Sequence, residues 1–291
     1  MKKKIKVLLL LVLTLALVAC GSFSNDKTKG DKLESLKLAV TGIEGVEQLH
    51  NEFGAFKDAL EKVIGLPIEF YALTDNASAI SALESKEVDL ILAGGADYVM
   101  LKNSDHCVYP IAALTRPGYI PIIISHVDSG IKTIADIKPE HIIGTRNVGS
   151  TSGHLMPLKA LVDAGLDIEK DVIVQEIGSS NEEAFLAKEI DLLPTTLLNY
   201  QKLRAKELTM FNIIYQGNAL PNDLLVGGSH LDASFVEGIK AAIVEKSDDL
   251  MEAILVSKEN EKYAESMFVE AEDSDYDELR DACNTLGIEL K

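Results

Sequence analysis

The residues with the most chemistry in this 291-residue chain lie in one stretch, Ile142-Ile143-Gly144-Thr145-Arg146-Asn147-Val148-Gly149-Ser150-Thr151-Ser152-Gly153-His154-Leu155. An apolar β-like run leads into small residues and three successive hydroxyls. Leu155, Leu158, Leu161 and Val162 then recur on one helical face. The first N–H groups of a helix lack partners within it, and the helix dipole places about half a positive charge there. Hydroxyls at Ser150, Thr151 and Ser152 add donors, while Gly149 and Gly153 let the backbone come close to a ligand. Such a turn suits a tetrahedral oxyanion held without a cationic side chain. It equally suits plain helix capping, with one hydroxyl bonded to the backbone and the others in solvent. On the local pattern both readings stand.

Other side chains offer less. Arg116 and Arg146 could each clamp an anion with a forked pair of hydrogen bonds, although surface or hinge ion pairing is the more ordinary use of such residues. His154 lies one turn into the helix, where facing solvent or a neighbouring element outweighs ligand contact. Asp191 closes the short run Glu189-Ile190-Asp191-Leu192 and offers a carboxylate to an amino group on a ligand tail. The remaining histidines are scattered without metal-ligand spacing. Gly149 to Gly153 has Thr151 where a nucleophile elbow requires serine. No P-loop occurs, and Gly94-Gly95 is too sparse for a dinucleotide loop. The expectation is a binding protein without catalysis, cofactor or metal.

The elements that must position this turn alternate in type. Short β-branched runs at Leu36–Thr41, Pro67–Leu73, Val88–Leu92, Val108–Leu114, Ile120–Ser125, Ile142–Thr145, Val172–Glu176 and Phe211–Tyr215 read as strands. Amphipathic segments such as Leu49–Ile64, Ala77–Ser85, Ser152–Ala164 and Glu182–Lys188 read as helices. In the first of these, Leu49, Phe53, Phe56, Leu60, Val63 and Ile64 form one stripe. Helices Ala233–Glu245, Asp248–Val256, Glu259–Phe268 and Tyr276–Leu286 are expected to close the chain with no strand among them. The alternation predicts an α/β architecture of mainly parallel sheets. Pro117-Gly118-Tyr119-Ile120-Pro121 and the segment Gly217 to Val226 read as two crossings. They would divide the chain into one lobe of residues 36–118 plus 225–291 and another of 119–224. A cleft between two such lobes is a usual ligand site.

The first residues read as an address. Lys2, Lys3, Lys4 and Lys6 precede an apolar run from Val7 to Val18. Twelve helical residues reach about 18 Å, short of the roughly 30 Å of a bilayer core, so a signal peptide (residues 1–19) fits better than a membrane span. Leu17-Val18-Ala19-Cys20-Gly21 resembles the bacterial lipobox, which implies a lipidated Cys20, an extracytoplasmic location on the cytoplasmic membrane and an anchor of acyl chains. Residues 20–35 are polar and read as a flexible tether. Without the four signal lysines, 24 basic residues stand against 46 acidic ones, a net charge of −22. That excludes a nucleic-acid footprint and means that any anion must be held locally rather than steered in. The two remaining cysteines, Cys107 and Cys283, show no disulfide framework and read as buried free thiols rather than as a pair.

Thr145 to Pro157, with Ser150-Thr151-Ser152-Gly153, resembles the ligand loop of the phosphonate, phosphite and phosphate substrate-binding proteins of ABC transporters. Other landmarks follow in that family's order: Gly94-Gly95-Ala96-Asp97-Tyr98, the run Asp128 to Lys138, and Leu220-Pro221-Asn222-Asp223. The resemblance implies a two-lobed periplasmic-binding-protein fold, type II-like, that closes by a hinge motion over a small anionic solute. It further implies a membrane permease and its ATPase as partners. It implies that Ser150, Thr151 and Ser152 hold phosphoryl-type oxygens, with Gly153 beside them and the Tyr98 hydroxyl facing the cleft. The chain departs from the pattern twice. Asn76 follows Thr74-Asp75 where the family has tyrosine, and Ser180 replaces the histidine of a Gly-Ser-His-Asp run. These departures put the ligand in question, so a sulfonate, a carboxylate or another organic solute, or a surface lipoprotein outside transport, stand as alternatives. A serine hydrolase using Ser150 or Ser152 is the reading from another class.

Overall fold

The computed structural model describes residues 33–43, 45–74, 78–103, 108–207 and 210–288. The signal peptide, Cys20, most of the tether, Asn76 and Cys107 lie outside the described residues. The folded unit runs from Ser35.

Two sheets organise that unit. The first contains β1 (Leu36–Val40), β2 (Ile68–Phe70), β3 (Leu90–Ala93), β4 (Val108–Leu114), β10 (Asp223–Gly228) and β11 (Phe268–Val269), in the order β11-β4-β10-β3-β1-β2. The second contains β5 (Pro121–His126), β6 (Ile142–Thr145), β7 (Ile173–Glu176), β8 (Leu192–Thr196) and β9 (Phe211–Gln216), in the order β7-β6-β8-β5-β9. The α/β class is as expected, but both sheets are mixed rather than mainly parallel. β1 pairs in parallel with β2 and β3, and β6 with β7 and β8, whereas β10 and β5 run antiparallel to their neighbours. The cause is topological: the chain leaves the first sheet after β4 and returns beside it as β10, so the returning strand opposes its neighbours.

The two crossings lie side by side. Leu220 N–H donates to Tyr119 O at 2.8 Å, Gly217 N–H to Pro121 O at 2.9 Å, and Arg116 N–H to the Asn222 side chain at 3.2 Å. Gly118 takes φ +73° in the turn closed by Tyr119 N–H to Arg116 O, a conformation that only glycine adopts without strain.

Helix α1 (Val46–Ile64) starts three residues before the predicted Leu49 and buries Leu49, Phe53, Phe56 and Leu60, with Val63 and Ile64 half-buried at its end. Gly65, left-handed, stops it. Helices α2 (Ser78–Glu84), α3 (Gly95–Asn103), α4 (Met156–Asp163), α5 (Asn181–Leu186), α6 (Leu197–Glu207), α7 (Ala233–Glu245) and α8 (Ser247–Ile254) follow, with α9 (Asp277–Thr285) last. The predicted helix Glu259–Phe268 is instead a 3₁₀ segment, Lys258–Tyr263, followed by β11. Phe268 stacks on Phe56 with ring centroids 6.0 Å apart and pairs with Leu114, contacts that outweigh local helix preference.

The second sheet is buried on both faces. Ile122 and Ile124 of β5 join Phe185, Leu193 and Tyr200 on one side, while Ile123 joins Ile143, Leu158 and Leu161 on the other. Each such fully buried side chain contributes roughly 2 kcal/mol. Leu155 and Met156 lie in the core of the first sheet, with Ala96, Tyr98 and Tyr276. Helix α9 adds Leu279, Ala282 and Cys283 to that core, and Leu286 just beyond it touches the cores of both sheets. Cys283 is a buried free thiol.

Candidate functional site

The carboxyl ends of strands from both sheets converge on one opening, where ligands of α/β sheets commonly bind. Just past β1, the Thr41 hydroxyl accepts the Gly94 N–H at 3.2 Å and so ties the ends of β1 and β3 together. Across the opening, β6 ends at Thr145 and the chain turns through Arg146 to Ser150. Ser150 N–H donates to Asn147 O at 3.0 Å, and Ser150 O accepts from both His154 and Leu155 N–H at 3.0 and 2.9 Å. The next turn, Thr151–Leu155, is wide, with Met156 N–H reaching back to Thr151 O before α4 begins. The predicted helix from Ser152 therefore opens as a π turn, a feature frequent at functional sites. The N–H groups of Thr151, Ser152 and Gly153 precede the first intrahelical donor.

These elements enclose a cavity of about 810 Å³ lined by Ser150, Thr151, Ser152 and Gly149 on one side and by Gly42, Gly94, Ala96 and Asp97 on the other. Thr151 is 7% exposed, and its hydroxyl accepts the Ala96 N–H from the first turn of α3 at 3.3 Å. Ser179, Thr196 and Asn199 complete the wall of the second sheet, with Thr196 Oγ1 accepting Asn199 N–H at 3.2 Å.

The floor is charged. Arg116 meets Asp223 at 3.2 Å and lies 3.6 Å above the Tyr119 ring centroid. Tyr263 donates to the other Asp223 oxygen at 2.7 Å. Burial, then the Asp223 charge, hold the Tyr263 hydroxyl well above the ordinary tyrosine range. Burial works against the Arg116 charge, but Asp223 outweighs it and raises its pKa further. Lys262 reaches the same wall, exposed as a residue but with its ammonium drawn in among the wall residues. That loss of water around the ammonium, helped by Arg116 and Arg146, pulls it below the usual lysine value against the opposing Asp223 and Glu52.

The predicted site residues divide. Ser150, Thr151 and Ser152 come together at the cavity, as does Arg146. Gly153 lies behind it, packed where a Cβ would stand 2.6 Å from Arg146 Cγ. Tyr98 does not face the cavity. It is 0% exposed, packs edge-on against Tyr276 and donates to Asp273 at 2.5 Å, because its position on α3 points into the core while Asp97 lines the cavity. Asp191 is also elsewhere. Its carboxylate accepts the Ile142 N–H at 2.8 Å, at the end of β6 opposite the turn. Ser180 is exposed in the turn after β7, and its neighbour Ser179 lines the cavity in its place. Arg116 carries the ion pair expected of it while also lining the cavity. His154, expected at the surface or against a neighbour, is 9% exposed with Nδ1 unpartnered. Lys262, Thr196 and Asn199 carry no local signal, since only the fold brings their distant segments here, and Asp223 stands in the sequence only as part of the Leu220–Asp223 landmark, without a role. Among the described residues no cluster of His, Cys, Asp and Glu could hold a metal ion.

A family model described as "ABC transporter, phosphonate, periplasmic substrate-binding protein" matches residues 38–279, which include both sheets and the hydroxyl turn. The chain belongs to that family. The phosphonate-type substrate-binding proteins are solute-binding components of transporters, not enzymes. A curated relative, the phosphonates-binding periplasmic protein of Escherichia coli K12, is 23% identical over 210 residues, covering 68% of this chain. The match spans 62% of that relative's own length. Among solved structures, a Xanthomonas citri protein bound to ATP superposes with TM-score 0.71 at 14% identity, covering 87% of this chain and 97% of the other. PhnD1 of Prochlorococcus marinus MIT 9301, in complex with methylphosphonate, gives 0.69 at 17% identity, covering 89% and 100%. These likenesses place the mixed α/β sheets of this family member in the periplasmic-binding-protein fold.

Proposed function

We propose that the chain is a lipid-anchored, extracytoplasmic solute-binding protein that captures a small phosphorus oxyanion (phosphonate, phosphite or phosphate) and delivers it to an ABC permease and its ATPase. The observation that carries this reading is the 150–152 turn, which presents hydroxyls and unpartnered first-turn N–H groups at a cavity lined from both sheets. Family membership supports the transporter role. Residues 36–118 with 225–291 and residues 119–224 would act as two lobes, rocking about the paired crossings, with the ligand favouring the closed form. Calorimetry of the soluble domain against phosphate, phosphite, methylphosphonate and aminoethylphosphonate should show tight binding to at least one. Silence from a folded protein across this panel would remove the substrate claim.

The anchor rests on Leu17-Val18-Ala19-Cys20-Gly21. Cys20→Ser should shift the protein from membrane to soluble fraction, and an unchanged distribution would refute lipidation. A second reading keeps the fold and exchanges the ligand for a sulfonate or carboxylate. It is favoured by Asn76 and Ser180 standing where the family has tyrosine and histidine, and by Tyr98 turned into the core. Native mass spectrometry of the protein as purified distinguishes the two.

A further inference from the structure

The cavity is larger than a single oxyanion needs. Pockets of roughly 300–1,000 Å³ accommodate whole drug-sized ligands, and methylphosphonate has only a handful of heavy atoms. Beside the main cavity lies a second recess of about 260 Å³, reaching under the ends of β1 and β3. The two differ in a telling way. Ser150, Thr151 and Ser152 line only the larger one, whereas Arg116, Arg146 and Lys262 line both. The cations therefore lie to one side of the hydroxyl turn, where a tail attached to a bound oxyanion would extend.

These three come from remote parts of the chain: the first crossing, the loop after β6 and the C-terminal 3₁₀ segment. Arg116 is committed to Asp223, whose second oxygen is taken by Tyr263. Arg146 and Lys262 make no salt bridge among the described residues, and both are exposed as residues, the Lys262 ammonium lying 4.9 Å from the Tyr263 ring centroid. Two carboxylates, Asp97 and Asp223, line the same recess, and Glu52 lies near enough to attract Lys262, so three cations converge there on a chain of net charge −18 with carboxylates around them. Gathering like charges costs folding free energy. Arg116 and Arg146 repel the Lys262 ammonium, so they are close enough to interact. An anionic tail would relieve that repulsion, and an ammonium tail would add to it.

We infer that the site takes a two-headed acid, with one oxyanion on the Ser150–Ser152 turn and a second anionic group, such as a carboxylate, between Arg146 and Lys262. This rests on the oxyanion reading of the turn proposed above. Arg146 would grip a carboxylate with its planar fork and Lys262 would act as a point charge.

The test is calorimetry with methylphosphonate, 3-phosphonopropionate, 2-aminoethylphosphonate, sulfoacetate and succinate, on the unaltered protein and on Arg146→Gln and Lys262→Gln. The expected result is 3-phosphonopropionate binding at least about tenfold tighter than methylphosphonate, and 2-aminoethylphosphonate weaker than both. Each substitution should lower 3-phosphonopropionate affinity about tenfold while leaving methylphosphonate within about twofold. Aminoethylphosphonate binding as tightly as the carboxylated member, or losses equal for all ligands, overturns the inference while leaving the phosphonate reading intact. Lys262-dependent binding of sulfoacetate or succinate with no phosphonate bound refutes the phosphonate reading and supports the two-headed site. Silence across the panel overturns both.

Discussion

The Ala96 N–H donates to the Thr151 hydroxyl across the cavity, joining the first turn of a helix on one sheet to the hydroxyl turn on the other. The hydroxyl accepts there and keeps its own proton to donate. Thr151 is thus both a strut and a candidate ligand contact. Thr151→Val keeps the shape and removes both bonds. It should cost about 1–3 kcal/mol of stability through the unpartnered Ala96 N–H, and ligand binding as well. Thr151→Ser should restore most of each, read by chemical denaturation and calorimetry side by side.

Ser150 and Ser152 are less constrained, being half-buried at the cavity wall. Alanine at either position should weaken anion binding by about 1.5–3 kcal/mol, the range for a hydrogen bond to a charged group, with the melting temperature nearly unmoved. Unchanged affinity in both variants would place the anion elsewhere.

Tyr98 gives the opposite signature. Its phenol is pushed up first by burial and then by the Asp273 carboxylate that it serves. Burial alone would raise the Asp273 carboxyl, but the Tyr98 and Arg280 hydrogen bonds outweigh it and hold the group below its usual value. Tyr98→Phe should cost about 1–2 kcal/mol in denaturant unfolding and leave ligand affinity within about twofold. A large affinity loss with stability intact would restore Tyr98 to the site.

Gly153 should tolerate no side chain. An alanine Cβ would lie 2.8 Å or closer to Arg146 Cβ, Cγ and Cδ, so the stem of the arginine must move. Gly153→Ala should destabilise the fold by about 1–3 kcal/mol and weaken binding of two-headed acids more than of methylphosphonate. Equal effects on both ligands would separate Gly153 from the Arg146 position.

His154 predicts a pH dependence. Burial lowers its pKa, against a smaller opposing pull from Glu176. A base with a depressed native pKa binds fewer protons folded than unfolded, so stability rises with pH across the window between the two values. Falling pH should therefore begin to cost stability near the unfolded value of about 6.5, with the full penalty below the native one. His154→Leu, which removes an imidazole whose Nδ1 has no partner, should flatten this part of the melting-temperature profile. An identical slope in both proteins would assign the dependence to other groups.

Much of the fold could be read from local pattern. The α1 stripe and the runs that became β1, β4, β5 and β6 carry their periodicity in a few residues. The hydroxyl turn at the cavity is legible for the same reason, as its glycines and hydroxyls are contiguous. What escaped was decided at a distance. Helix α3 is buried on several sides, so it shows no stripe, and the inward direction of Tyr98 depends on where Tyr276 and Asp273 pack. β11 exists because Phe56 and Leu114 receive Phe268. Lys262 reaches the cavity from a 3₁₀ segment, and nothing in its immediate sequence marks it.

Helix α9 ties the two sheets together. It buries Leu279 and Cys283 in one core, its neighbour Leu286 touches both, and Asp281 meets Lys159 of α4 at 3.1 Å. Under the hinge opening proposed above, a swing of the two sheets apart would first have to peel this C-terminal segment from one of them. It would then act as a clasp, its grip adding an activation barrier to solute escape that equilibrium affinity alone does not report.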